Sequence, residues 1–214
     1  MPHLSDQCCS VLELRQYTLH PGQRDALVDV FERTLVDSQE QLGIHVIGTF
    51  VDLDRPDRFV WIRGFDSNDA RSAALRAFYT GPDWRANSAE ANATMIDFDD
   101  VLLLQPAAGR GLTETTEVRP ADRSTPVSTR VIGGTVHSLE PGADDAAVLA
   151  AVEAPILGVL HTHPGPNGFP GLPIREGEQV VVVLTDGDTA GAEIPGATIT
   201  QRLRLSPTPR SELR

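Results

Sequence analysis

The stretch Glu13-Leu14-Arg15-Gln16-Tyr17-Thr18-Leu19-His20-Pro21-Gly22 decides how the rest of the chain is read. From 11 to 19 the residues alternate, with Val11, Glu13, Arg15, Tyr17 and Leu19 on one face and Leu12, Leu14, Gln16 and Thr18 on the other. That is the period of a half-buried strand. Pro21-Gly22 ends it, because proline lacks the ladder donor and glycine accepts a turn conformation. Glu13, Arg15 and Tyr17 cannot form an ordinary apolar layer, so their face is solvated, internally paired or part of a pocket.

Downstream, Leu27, Val28, Phe31, Leu35 and Leu42 recur at helical spacing over 23–42, and Gly43 closes the helix. Ile44 to Leu53 and Phe59 to Phe65 read as an antiparallel hairpin around the turn Asp54-Arg55-Pro56-Asp57-Arg58. Ser67 can cap a helix over about 68–79, because its hydroxyl accepts from an orphan amide of the first turn. Gly81-Pro82 breaks that helix, and a second helical piece from Pro82 to Met95 leads into a strand from Phe98 to Leu104. The order β-α-β-β-α-β is ferredoxin-like.

Residues 106–128 hold Pro106, Gly109, Gly111, Pro120 and Pro126 among polar residues and read as a linker or a long crossover. The pattern then partly recurs. Thr129 to Ser138 alternates as a strand, Pro141-Gly142 echoes Pro21-Gly22, and Ala143 to Glu153 is an alanine-rich helix. Three more strands follow, at Ile156 to Thr162, Gln179 to Thr185 and Ala197 to Leu205. A short Gly-rich stretch after Asp186 stands where the first half has its second helix, and Pro164 to Gly177 is a long Gly/Pro-rich loop. The predicted organisation is therefore a ferredoxin-like domain over 11–105, a linker over 106–128 and a degenerate ferredoxin-like domain over 129–206, with disordered tails at 1–10 and 207–214.

The chain carries 30 acidic against 18 basic residues, a formal charge of −12, and every basic residue is arginine. With no basic run to neutralise phosphates, nucleic acid and anionic membranes are disfavoured as partners. Cys8 and Cys9 are adjacent and found no disulfide framework. No signal sequence or apolar span is visible, so the expectation is a cytoplasmic protein.

Residues 12 to 104 resemble the NIPSNAP family of the dimeric α/β-barrel superfamily. The likeness rests on Glu13-Leu14-Arg15-x-Tyr17-x-Leu19-x-Pro21-Gly22, on Gly43 and Gly48-x-Phe50, on Val60-Trp61, and on Phe65-Asp66-Ser67. The second half is divergent: it keeps Pro141-Gly142 but lacks the Arg-x-Tyr element and the tryptophan. The resemblance implies an α+β chain whose two βαββαβ halves pack their sheets into one barrel, within a chain or between chains, so a homodimer is compatible. Relatives in the superfamily include cofactor-free oxygenases, isomerases, haem enzymes and proteins without known activity, so fold does not stand in for chemistry.

In the third strand Phe59, Trp61, Arg63 and Phe65 share a face, with Val60, Ile62 and Gly64 opposite. If strands one and three are neighbours, Arg15, Tyr17, Trp61 and Arg63 form one aromatic and cationic patch. The expectation is that the aliphatic sets, Leu12 and Leu14 included, pack under the helices and that the patch faces the opposing sheet. Its arginines could bind or polarise an oxygen anion between flanking rings; alternatively the patch is a filled layer in which Glu13 pairs with Arg15 or Arg63. A second candidate cavity lies between sheet and helices, with Phe78, Tyr79 and Trp84 at its lip. Phe50 completes the substrate-binding candidates.

For catalysis the candidates are Arg15, Tyr17 and His45, the last a single histidine with no visible orienting partner. His161-x-His163 could chelate a metal, but no further ligand follows in Pro164-Gly165-Pro166-Asn167-Gly168. No Walker loop, dinucleotide fingerprint or nucleophile elbow is present. The reading is a barrel protein acting without a tightly held cofactor on a small apolar or aromatic metabolite, by oxygenation, isomerisation or cyclisation. The rival reading is a non-catalytic ligand-binding or interaction protein.

Overall fold

The computed structural model describes residues 9–112, 119–123, 128–140, 156–188 and 196–214. The first strand, β1 (Val11–Leu19), is followed by a turn at Gly22, whose φ of 76° lets the chain reverse while its amide donates to Asp57 Oδ1 at 2.8 Å. The amphipathic stretch that follows is one helical run in three pieces: α1 (Arg24–Val30), a π-helical turn at Phe31–Leu35, and α2 (Val36–Glu40). Gly43, at φ 78°, closes it. The extra residue of the π-turn rotates the buried stripe onto Leu35, Val36 and Gln39, and Leu42, expected in the core, is left exposed.

β2 (His45–Asp52) and β3 (Arg58–Phe65) form the expected hairpin, and Ser67 Oγ accepts from the Ala70 amide at 3.1 Å to start α3 (Asn68–Thr80). Gly81 separates it from α4 (Pro82–Ala93); a Cβ there would meet Ala77 O at 2.9 Å. β4 (Met95–Pro106) completes the first half. Of the second half, β5 (Ile132–Leu139), β6 (Ile156–Thr162), β7 (Val180–Asp186) and β8 (Ala197–Pro207) stand where sequence alternation put them. The helix expected over 143–153 lies outside the described residues, as does most of the Gly-rich stretch after Asp186.

The eight strands close into an antiparallel barrel in the order β1-β3-β2-β8-β5-β7-β6-β4. The first four run β4-β1-β3-β2 and the last four β8-β5-β7-β6. Two short seams join them: Phe50 to Asp52 against Leu205 to Pro207, and Leu104 to Pro106 against Leu160 to Thr162. The start of the expected linker is part of this structure. Ala107 N donates to Val159 O, Arg110 O accepts from Val159 N, and Leu112 is buried in the barrel interior.

The barrel corrects the expected assignment of faces. Leu12, Leu14, Val60, Ile62, Leu102 and Leu104 do not lie under the helices; they fill the barrel interior with Val136, Leu160, Val182, Leu184 and Leu203. Glu13, Arg15, Tyr17, Trp61 and Arg63 turn outward, beneath the helices. Eight strands leave an interior just wide enough for side chains to fill, and aliphatic residues with Phe50 occupy it, while the charged set and its flanking rings lie on the helix side. One end of the interior is closed by polar side chains: Gln16 Nε2 donates to Gln201 Oε1 at 2.9 Å, and Arg58 Nη2 lies 3.4 Å from Asp100 Oδ2.

The C-terminal segment corrects a second expectation, since 207–214 is no loose tail. Thr208 N donates to Thr49 O, Thr49 N donates to Ser211 Oγ, and Leu213 N donates to Ile47 O, so the segment runs along the edge of β2. Arg210 is buried, with Nη1 donating to Glu32 O at 2.6 Å, its amide donating to Glu32 Oε1, and its guanidinium paired with Asp37. Sequence pattern missed this because the segment is held by individual hydrogen bonds and one apolar anchor, Leu213, rather than by a periodic face. Leu213→Ala is expected to lower stability by about 2–4 kcal/mol, measured by urea unfolding, whereas a disordered tail would give no change.

Candidate functional site

The antiparallel register of β1 on β3 sets Glu13 opposite Arg63 and Arg15 opposite Trp61. On the helix side these side chains build a fully buried ionic cluster. Glu13 Oε2 accepts from Arg15 Nη1 at 2.7 Å and Arg63 Nε at 2.8 Å, and Glu13 Oε1 accepts from Arg71 Nε at 2.6 Å. Burial pushes the Glu13 carboxyl up, but the Arg63, Arg15 and Arg71 guanidiniums more than reverse this and hold it far below the ordinary glutamate range. Burial likewise opposes the charge on Arg15, and Tyr17 and Glu13 outweigh it. Three guanidiniums against one carboxylate leave two positive charges in excess in a site without water contact.

The excess charge is spread over aromatic faces and amides. The Arg15 guanidinium lies 5.5 Å from the Tyr17 ring centre and 5.7 Å from that of Trp61, while Arg63 lies 4.9 Å from Trp61. Arg15 Nε donates to Tyr17 Oη at 3.0 Å, and Arg63 Nη1 donates to Gln39 Oε1 at 2.9 Å. Gln39 Nε2 in turn donates to Leu35 O, tying the cluster to the π-turn. Three buried donors of the cluster and its border, Trp61 Nε1, Arg63 Nη2 and Arg71 Nη2, have no hydrogen-bond partner among the described residues, although Arg63 Nη2 is ion-paired with Glu13 Oε2 at 2.8 Å.

Beside the cluster lies a cavity of about 30 Å³. Its walls include Tyr17 and Trp61 from the sheet, Phe31 and Gln39 from the helical run, and Tyr79 and Trp84 from α3 and α4. The two patches read separately from the sequence are therefore one site. The chain has two tyrosines and two tryptophans, and all four line this cavity. Burial raises the Tyr79 phenol above its ordinary value although Arg63 and Arg15 pull it down, so the group stays protonated and able to donate.

The other candidates are placed elsewhere. Phe50 fills the barrel interior, because a bulge between Val46 and Gly48 shifts the phase of β2. His45 lies away from the cavity and does have an orienting partner: its Nε2 is 2.8 Å from Glu212 Oε2. His163 Nδ1 accepts from the Gly165 amide, and neither His161 nor His163 joins a cluster of three potential metal ligands among the described residues. Glu40, His45 and Glu212 do form such a cluster, but the Arg119 guanidinium supplies its cation, with Nη2 3.0 Å from Glu40 Oε1 and from Glu212 Oε2. Sequence reasoning missed Arg71 and Gln39. The spacing Arg71, Leu75, Phe78 places Arg71 on the buried stripe of α3 and was the available signal.

Residues 12–108 match the NIPSNAP family model, so the first half of the chain is a NIPSNAP domain, and every residue of the cluster and cavity lies within it. Among solved structures, a protein named as a monooxygenase from Lactobacillus acidophilus is similar over 92% of this chain and 93% of its own, with 12% identity and a TM-score of 0.51. That likeness is one of fold and extends over both halves. A NIPSNAP family protein of unknown function from Agrobacterium tumefaciens (23% identity, TM-score 0.43) covers 50% of this chain and 95% of its own. A NIPSNAP-like domain protein from Burkholderia xenovorans (19% identity, TM-score 0.45) covers 52% of this chain and 97% of its own. No curated protein matches the sequence. Among the described residues, no helix is long and apolar enough to cross a membrane.

Glu13→Gln removes the only anion of the cluster and leaves three buried cations facing one another. The expected loss is about 3–5 kcal/mol in chemical unfolding. Because the folded-state value of Glu13 is depressed, its contribution is present above the unfolded value and is lost as pH falls, so the variant should also show a flatter acid limb. His45 carries the opposite sign: burial lowers it, but Glu212 and Glu40 raise it net above 6.5. Its pairing with Glu212 therefore stabilises at low pH and weakens as pH rises through the raised value. The Tm advantage of the wild type over His45→Gln should be complete below the unfolded value of 6.5 and shrink as pH rises above it.

Proposed function

We propose that this chain binds a planar, largely apolar or aromatic metabolite bearing an acidic oxygen, in the cavity between sheet and helices, and that it is an enzyme of the oxygenase, isomerase or cyclase type working without a tightly held cofactor. The observation that carries this reading is the convergence of all four Tyr and Trp side chains on one cavity beside two uncompensated positive charges. A ligand phenolate, enolate or carboxylate supplies the missing negative charge, and the rings flank its plane. Tyr17 Oη already accepts from Arg15 Nε, so its own O–H is left to donate into the cavity, and Tyr17 is the proton relay in this reading. Arg15 orients that hydroxyl and favours the ionised ligand oxygen. The proposal extends to the architecture: two ferredoxin-like halves, the second degenerate, fused so that one chain completes its own barrel.

A second reading is favoured by a specific feature. Neither His45 nor His20, the histidines that could act as a general base, lines the cavity, which leaves Tyr17 and Tyr79 as its ionisable lining. A ligand-binding protein without turnover needs no more than that.

Small molecules released from the purified protein, identified by mass spectrometry, test the ligand class directly. Arg15→Met keeps the apolar stem and removes the charge, while Arg63 and Arg71 remain on Glu13. The account expects an aromatic anion among the released compounds and a loss of affinity for it of about tenfold or more in the variant, or about 1.4 kcal/mol. Tyr17→Phe should leave binding nearly intact and, if the protein is an enzyme, lower turnover. A neutral or cationic ligand whose affinity ignores Arg15 would overturn the reading.

A further inference from the structure

A cavity of about 30 Å³ holds one or two water molecules, whereas a drug-sized ligand needs about 300 Å³ or more, so one wall must move before anything binds. The sheet wall is fixed, since β1 and β3 are hydrogen-bonded on both sides within a closed barrel. The helical wall is held by Arg210 on Glu32 and Asp37 and by Arg63 on Gln39. α4 follows Gly81, where even a Cβ would meet Ala77 O at 2.9 Å, and is tied to the helical run by the Arg33–Glu90 ion pair.

The remaining wall is Tyr79, and behind it stands the long Gly/Pro-rich loop of the second half. Phe169 stacks on Tyr79, with ring centres 6.1 Å apart and planes at 17°. Asn167 Oδ1 accepts from Arg71 Nη1 at 3.1 Å, and Asn68 Nδ2 donates to Pro166 O. The base of the loop is pinned to the edge of β4, where His163 N donates to Leu103 O and Arg175 N donates to Val101 O. Between base and tip, its two limbs border an open groove of about 580 Å³, and its hold on the helix-side core is through Leu172, with Phe169 and Ile174 packed beside it. The tip is braced internally, Asn167 Nδ2 donating to Leu172 O and Phe169 N to Asn167 Oδ1, so it can move as a unit. At Gly168 the tip lies so close to α3 that a Cβ would meet Ser72 Oγ at 2.5 Å.

We infer that the loop tip, through Asn167 and Phe169, is the gate of the first half's site, and that these two residues set which ligands enter: Phe169 by holding Tyr79 over the cavity and Asn167 by positioning Arg71. The inference rests on the cavity being the ligand site proposed above. It also gives the second half a role that a lone NIPSNAP domain cannot supply.

The test uses Trp61 as an internal reporter. In a Trp84→Phe background Trp61, 1% exposed, is the sole tryptophan, and acrylamide quenching of its fluorescence reads the opening of the cavity without any ligand. Phe169→Ala, and independently Gly168→Val as a wedge against Ser72, should raise the quenching constant roughly twofold or more while the thermal midpoint shifts little. Phe169→Leu serves if the alanine variant unfolds. Unchanged quenching in the folded variants overturns the gate. Anilinonaphthalene sulfonate, an aromatic anion, is then added to the same variants. Faster association in Phe169→Ala and Asn167→Ala, lost on adding Arg15→Met, supports the gate acting on an anion site. If dye binding ignores Arg15 while quenching still rises, the gate stands and the anion reading falls.

Discussion

Glu13 cannot stay ionised in a layer without water unless its surroundings restore what hydration gave it, and three guanidiniums do so. That requirement fixes much of the first half. Arg15 and Arg63 must face the same side of neighbouring strands, which the antiparallel register provides by setting Glu13 across from Arg63. Arg71 must arrive from a helix lying over those strands, and the Ser67 cap starts α3 one turn before it. Gln39 reaches the cluster through the π-turn, so even that irregularity serves the ionic centre. The surplus of positive charge is then a property of the site and not of the surface, which is acidic overall.

The closed barrel explains which residues could be assigned from sequence and which could not. Alternation in β1 and β3 sorted Leu12 and Leu14 from Glu13 and Arg15, and Val60 and Ile62 from Trp61 and Arg63, because period two is independent of what lies on either side. It could not say which set faces inward, since in a closed barrel carrying helices both faces are dry. The aliphatic sets went inside because eight strands converge there; the bulky set went under the helices. Phe50 was misplaced by the bulge after Val46, an insertion that alternation does not reveal. Arg71 was hidden because a charged residue near a helix start reads as solvated.

The second half acts on the first mainly through two segments without regular structure. The C-terminal segment clamps the π-turn through Arg210 and closes the edge of β2, and the loop after β6 backs the Tyr79 wall. Neither has a periodic signature, so one reads as a tail and the other as a mobile loop over a barrel mouth or cavity entrance, without the contacts that hold it. Each has one buried apolar anchor, Leu213 in the first and Leu172 in the second, and is otherwise held by single hydrogen bonds, ion pairs and one ring stack, which suits segments that hold a site in place more than segments that build a core.

The central claim is that Glu13 is a permanently ionised hub. Carbon-13 NMR of protein labelled at glutamate carboxyls, with the Glu13 resonance assigned by its loss in Glu13→Gln, tests it without reference to any ligand. The account predicts that the Glu13 carboxyl keeps the shift of an ionised group down to the pH at which the protein unfolds. Titration near the ordinary glutamate value of 4.5 would contradict it, because a carboxyl that takes up a proton there is not clasped by three buried arginines.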